Sequence, residues 1–582
     1  MTALWLSIVL LPLLPALLLA GPKAMRQLAL RLVPWVGVPA ILTALWATPD
    51  HFVTIPWLMH ETRMGLDATG QVFFLLTAVL WTLGAIYGKA YLRDDPRRER
   101  FWVFYLLAMT GNLALVPCQD MLGFYLFFVL MTLASFGLVV HEDTRFAHFA
   151  GKVYIAMAVI GEVILLTGML LAVQAAGGTD LAQVRGALAQ DKAAVAPVLL
   201  FVGFGIKAGA MLLHMWLPLA HPAAPTPASA VLSGAMIKAG LLGWMRFLPA
   251  GELAMPIGGS LVIGLGLAAA FFGAIIGALQ IQPKSNLAYS SISQMGFMTV
   301  GMGVGLVHPQ TWPIVAPTVA LYALHHSFAK GTLFLGVGLA SSAAHTIWRC
   351  RMLMLGLALP AVALAGAPLT SGYLAKAALK GAIGELGGPW HFWLDLLLPV
   401  AAVGTTVLLG RYLYLVYPRS HPPAAAEVKR GLWPPWLALL AAVALVSWLV
   451  PQWYALELAR PDAVTWGGLW LSIWPVLLGA VMVAIGVRYG QSVTARWEVP
   501  PGDVVVLFLR WTRWIVQRWR YVIVPVSTRS ARRLIRFRNR LLLKVTRLMM
   551  RGEAGLLRWG TGGVLFLLVV MVLSLLLIWL QT

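Results

Sequence analysis

A chain of 582 residues that is 60% hydrophobic and 11% charged, with mean hydropathy +0.82, does not have the make-up of a water-soluble protein, since soluble domains carry about 25% charged residues. The net charge of +22 raises the question of nucleic acid. However, the basic residues sit in loops between apolar runs and in one late stretch, so no nucleic-acid partner is expected and the lipid surface is. Cys118 and Cys350 form no CxxC pair, and neither GxGxxG nor GxxxxGK[ST] occurs. Metal, haem, iron–sulfur and nucleotide sites therefore lack support, no cofactor is expected on this chain, and no catalytic residue of its own is visible.

Windows of about 20 apolar residues predict spans near 3–20, 28–47, 70–90, 101–117, 119–140, 151–174, 195–217, 226–248, 256–280, 287–307, 313–340, 352–376, 393–417, 433–451, 467–487 and 562–580. The fold class is therefore an all-α polytopic membrane protein of about 14–16 transmembrane helices. No soluble-sized polar block separates them, so one continuous membrane domain is expected. The first run, Leu4–Ala20, lacks a basic leader and reads as a span that is kept.

Loop charge alternates along the chain. Lys23, Arg26, Arg93, Arg97, Arg98, Arg100, Arg145, Lys284, Arg349, Arg351, Arg419, Lys429 and Arg430 fall in odd-numbered loops, whereas Asp50, Glu61, Asp67, Asp120, Asp180 and Glu252 mark the even ones. The positive-inside rule then puts the odd loops in the cytoplasm and the N-terminus outside. The expected location is a bacterial inner (plasma) membrane.

The stretch Gly203–Gly240 holds two lysines, Lys207 and Lys238, in apolar runs, with His214, His221, Pro218, Pro222, Pro225 and Pro227 between them. A lysine at mid-bilayer costs roughly 2.5–3.5 kcal/mol by insertion scales, so it reads as functional by default. Lys330 follows His325 and His326 by about one helical turn, and Lys376 follows a helix interruption predicted by Gly366, Pro368 and Gly372. A desolvated lysine can load and release a proton, and histidine needs less tuning to do so. Where a helix breaks, backbone dipoles and water reach mid-membrane, and a row of such groups makes a proton relay. The bland alternative is snorkelling from a span end, which suits Lys376 and Lys238 best. Glu162, in AVIGEVILLTG, is the clearest acid within a span.

From Arg488 to Arg558 the only acids are Glu498, Asp503 and Glu553. Within this stretch Leu534, Ile535, Leu541, Leu542, Val545, Leu548 and Met549 approximate helical spacing, with Ser527 or Thr528 as N-cap. A basic amphipathic segment over 489–561, lying on the cytoplasmic face, and a final span over 562–582 are expected.

The pieces FGIKAG, HMWLPLAHPAAPTPASAVLSGAMIKAG, NLAYSSISQMGFM, HHSFAKGTLFLGVG and GAPLTSGYLAK resemble, in order, the proton-translocating antiporter-like family. That family includes the large membrane subunits of complex I, the Mrp cation/proton antiporters and the membrane subunits of formate hydrogenlyase and related hydrogenases. The resemblance implies two inverted five-helix repeats, each containing a broken helix. On this reading residues 1–100 are N-terminal helices, 101–250 and 251–420 the two repeats, 421–488 additional helices, 489–561 a lateral helix like that of the distal complex I subunit, and 562–582 the last span.

The resemblance also implies that Lys207 and Lys238 serve the first half of the path, His325, His326 and Lys330 the second, and Lys376 the outward-leading end. One departure stands out. Val129 occupies the position of the fifth-span glutamate that pairs with the first lysine, and Glu162 on the next span is the acid able to replace it. The function implied is a proton-translocating subunit of a complex-I-like or hydrogenase-like respiratory assembly. The alternative is the proton-conducting subunit of an Mrp-like antiporter or of an inorganic-carbon uptake complex. Partners would be other membrane subunits, and these would hold the redox cofactors and quinone.

Overall fold

In the computed structural model the described residues are 2–56, 61–190, 194–343, 346–384, 389–417, 430–453 and 466–489, with 499–503, 506 and a few positions up to 515. The amphipathic segment and final span expected from the sequence lie almost wholly outside them. Residues 1–506 form one compact unit and 507–582 another.

The helices in chain order are α1 Thr2–Leu18, α2 Lys23–Leu32, α3 Val38–Trp46, α4 Ala68–Tyr91, α5 Arg98–Leu115, α6 Met121–Val139, α7 Arg145–Ala176, α8 Leu181–Ala189, α9 Ala196–Ala208, α10 Leu217–Ala223, α11 Thr226–Val231, α12 Ile237–Phe247, α13 Pro256–Ala278, α14 Pro283–Val307, α15 Trp312–Ala343, α16 Ile347–Ala365, α17 Ser371–Gly384, α18 Pro389–Val416, α19 Trp433–Trp453 and α20 Trp466–Tyr489. Among the described residues, nine segments are long and apolar enough to cross a membrane, and three shorter apolar helices, Leu4–Leu18, Ala196–Ala208 and Arg430–Val446, stand beside them. Each span expected up to residue 487 coincides with a helix or a broken pair. The sequence reading missed two small elements: α8, and a hairpin of β1 Val53–Ile55 with β2 Thr62–Met64.

The apolar surface explains why this bundle needs lipid. On α7, Val159, Ile160, Val163 and Leu170 are about half exposed on one face, a patch that water would not tolerate on a monomer. The inner contacts rely on small residues instead. Gly259, Gly266 and Gly273 of α13 repeat every seven residues against Gly303 and Gly296 of α14, and a Cβ at Gly266 would meet the Gly296 carbonyl at 2.7 Å. In lipid, where apolar side chains gain little by leaving solvent, such backbone approach supplies the dispersion contacts that hold helices together.

From α5 to α12 and from α13 to α18 the chain makes two sets of five spans, the fourth of each broken. α9 ends at Gly209 (φ 72°), followed by Leu212 at φ 71°; α16 ends at Gly366 (φ 93°), followed by Leu369 at φ 61°. The left-handed glycine lets the last amides fold back on the helix: Ala210 N–H donates to the Gly205 carbonyl and Ala367 N–H to the Val362 carbonyl, leaving fewer orphan carbonyls at the helix end. Trp216 Nε1–H satisfies another, the Ile206 carbonyl, at 2.7 Å. Proline at the start of α10 and inside it then re-forms helix without a full ladder.

Candidate functional site

The four lysines lie within this broken-helix framework. Lys207 occupies the last turn of α9, where a cation meets the negative end of the helix dipole. It is buried, and its Nζ donates to the Tyr154 phenol oxygen at 3.0 Å. The phenol in turn donates to the Thr132 carbonyl at 2.8 Å. Lys207 also sits 5.4 Å from the Tyr154 ring centre and 5.8 Å from that of Trp216. Glu162, Lys207, Tyr154, Thr132 and Trp216 line one cavity of about 20 Å³ measured to water centres, room for a single water. Glu162 Oε2 and Thr132 Oγ1 have no protein partner among the described residues. Two orphaned polar atoms beside a buried lysine leave a place for a water.

Lys238 is 1% exposed, so it does not snorkel. A π-helical stretch, Leu232–Met236, immediately precedes it, and such a bulge frees carbonyls from the helix ladder. Lys238 Nζ donates to the Ser233 carbonyl at 3.2 Å and contacts His326 Nδ1 directly. This contact joins the two five-span sets through side chains. His326 Nε2 faces no protein partner among the described residues. One turn on, Lys330 Nζ donates to the Leu287 carbonyl of α14 at 2.9 Å.

His325 reaches the second break through Ser371 Oγ at 2.7 Å. Across that break Lys376 folds back from α17 and donates to the Ala365 carbonyl at 2.8 Å, with its Nζ 5.0 Å from the Phe297 ring centre. It caps the negative end of α16 and stays partly exposed.

The remaining two expected residues stand apart from this line. His221 stacks on Phe334 at 4.5 Å, with neither ring nitrogen partnered among the described residues. His214, in the first break, meets Asp503 at 3.3 Å. The sequence reading assigned no role to Tyr154, Ser371 or Tyr289, which carry no signature in sequence. It also left Lys284 in a loop, whereas its Nζ donates to the Ala224 carbonyl at 2.7 Å. Among the described residues there is no cluster of three or more His, Cys, Asp or Glu suited to a metal ion.

Residues 118–394 match the family described as NADH:quinone oxidoreductase/Mrp antiporter, transmembrane. That region is similar to the antiporter-like family. All nine relay candidates fall inside it. Over 453 residues the chain is 29% identical to hydrogenase-4 component B of Escherichia coli K12, covering 71% of this chain and 65% of that protein. It is 26% identical over 508 residues to a putative antiporter subunit, mnhA2, of Staphylococcus haemolyticus, covering 78% of this chain and 62% of that one. The chain thus spans less than two thirds of the length of these antiporter-like relatives. In fold it is similar to the Mrp complex of Dietzia sp. DQ12-45-1b, with a TM-score of 0.73 and 23% identity, covering 98% of this chain and 65% of that one.

Proposed function

We propose that this chain is the proton-conducting membrane subunit of a complex-I-like or hydrogenase-like respiratory assembly. The observation that carries the reading is the buried line Lys207, Lys238, His326, His325, which continues to the partly exposed Lys376, with Lys238 in contact with His326 across the two five-span sets. Buried lysines without fixed carboxylate partners are costly in a membrane, and a proton path is the role that repays them.

In this reading a proton from the cytoplasm loads Lys207, with Glu162 as the carboxylate that takes and returns charge. Water carries it to Lys238. It then passes to the His325, His326 and Lys330 group and leaves past Lys376, while His214 and His221 flank the first break. Five crossings in each set would turn the second upside down relative to the first, so that one half opens inward and the other outward. The basic odd loops support a bacterial inner-membrane location with the N-terminus outside. Partner membrane subunits would hold the redox cofactors and any quinone.

A second reading, an Mrp-like antiporter or inorganic-carbon uptake subunit, gains from Val129. Without an acid there, α6 offers no charge for coupling one subunit to the next. Proton flux into proteoliposomes holding the complex co-purified through this chain is the test, with Lys207→Ala as comparison. Flux driven by the redox partner and lost in the variant is expected. Undiminished flux in the variant would sink the proton-path reading. Flux driven by an imposed gradient alone, with no redox enzyme co-purifying, would favour the second reading.

A further inference from the structure

Asp503 lies beyond α20 and outside the family-matched stretch, yet it is 3% exposed. Its Oδ2 accepts the phenol O–H of Tyr289 at 2.7 Å and meets His214 Nε2 at 3.3 Å. These partners belong to different spans: His214 to the break between α9 and α10, Tyr289 to α14 in the second five-span set. The short segment carrying the acid is seated firmly. Gln280 Nε2 donates to the Val499 carbonyl at 3.1 Å, and Gly502 (φ 89°) presses its backbone against Leu219, where a Cβ would meet the side chain at 2.8 Å. Only glycine fits both that angle and that approach. His214 is itself buried, its ring 5.2 Å from that of Phe272, and its Nδ1 has no protein partner among the described residues.

From this arrangement we infer that Asp503 is a proton-carrying member of the relay, linking His214 at the first break to Tyr289 of the second set; the inference rests on the proton-path reading. Water delivers a proton to the free Nδ1 of His214. The Nε2–H bond then breaks as an Oδ2–H bond forms, which leaves His214 neutral in its other tautomer and Asp503 protonated. The phenol O–H of Tyr289, which until then donates to Oδ2, turns to a water, and Asp503 passes its proton to the phenol oxygen while the phenol releases its own to that water. Each bond broken is matched by one formed, and no electron moves. Imidazole and carboxylate are suited to this exchange because each accepts at one atom and donates at another. The bland alternative is a latch, in which the carboxylate merely fastens residues 499–503 to the bundle.

The test is proton flux in proteoliposomes of the whole co-purified complex, comparing wild type, Asp503→Asn, Asp503→Glu, Tyr289→Phe and Lys207→Ala. Asparagine preserves shape and still accepts from Tyr289, but it cannot carry the proton. The expected result is about tenfold less flux in Asp503→Asn, recovery of most of it in Asp503→Glu, a severalfold loss in Tyr289→Phe, and an unchanged melting temperature. If Lys207→Ala abolishes flux while Asp503→Asn keeps more than half, the inference fails and the broader reading stands. If Lys207→Ala conducts normally, it is the broader reading that fails. Should Asp503→Asn lose assembled complex while Tyr289→Phe conducts fully, Asp503 is a latch and the inference is overturned.

Discussion

The two helix breaks share a backbone device and differ in how they treat charge. Each ends a helix on a left-handed glycine and places a left-handed leucine three residues later. At the first, Lys207 shares a water-sized cavity with a carboxylate whose Oε2 is unpartnered among the described residues. At the second, Lys376 rests on the Ala365 carbonyl and the Phe297 ring. A carboxylate can gain or lose a proton, whereas a carbonyl and a ring cannot. On the proposed proton path, the first break would therefore switch and the second hold and release.

That contrast is sharpest for the lysines themselves. Lys207→Ala should lower flux by about a hundredfold, the loss typical of a positioned proton-transfer group. Lys376→Met should lower it by about tenfold, because a partly exposed site admits water that can bypass the side chain. Equal losses, measured in the same proteoliposomes, would break the comparison.

The acid offers a finer test. Glu162→Gln should reduce flux severalfold, and adding Val129→Glu should restore part of it by returning a carboxylate to α6, one turn from Thr132. No recovery in the double variant would mean that the position of the acid, and not its presence, matters.

The breaks should also differ in stability. Alanine in the left-handed region costs roughly 1–2 kcal/mol. At Gly209 a Cβ would meet nothing nearer than Leu217 at 3.7 Å, whereas at Gly366 it would strike Lys376 Cδ at 2.8 Å. Thermal unfolding in detergent should show Gly366→Ala as the more damaging, with a flux defect that Gly209→Ala lacks.

The smallest effect lies outside the breaks, in the loop before α6. Burial holds the Asp120 carboxyl up at about 6, against the pull of its N–H donors Gly123 and Arg63. Because this value is raised above the ordinary carboxylate value of about 3.9, the stability it contributes is complete below about 4 and is lost as pH rises through about 6. Asn also caps helices, so Asp120→Asn should flatten the fall in melting temperature between about pH 4 and 6.

Much of this was legible in the sequence because a bilayer leaves few options. Hydrophobic runs located the helices, since every backbone group must be satisfied within lipid. Gly366, Pro368 and Gly372 marked the second break, and the prolines after His214 marked the first. Lysines in apolar runs marked the candidate path because their cost there is hard to justify otherwise. The contacts were another matter. Nothing in one dimension showed that Lys238 touches His326, that Lys238 is fully enclosed when its place near a span end suggested snorkelling, or that Lys284 opens α14 and reaches the Ala224 carbonyl. The hairpin Val53–Ile55 with Thr62–Met64 and the short α8 were too brief to leave a periodic signal.

The sequence by itself determined an all-helical membrane protein of antiporter-like character, with its ionisable residues in order along the chain. It even displayed Asp503 as one of three acids in an arginine-rich stretch, without revealing where that acid goes. Only the tertiary structure decided which groups meet. Glu162 entered the Lys207 cavity from α7, and Asp503 came to rest between His214 and Tyr289. The physical reason is that apolar periodicity records only which residues face lipid, whereas a proton path depends on approaches of about 3 Å between helices far apart in the chain.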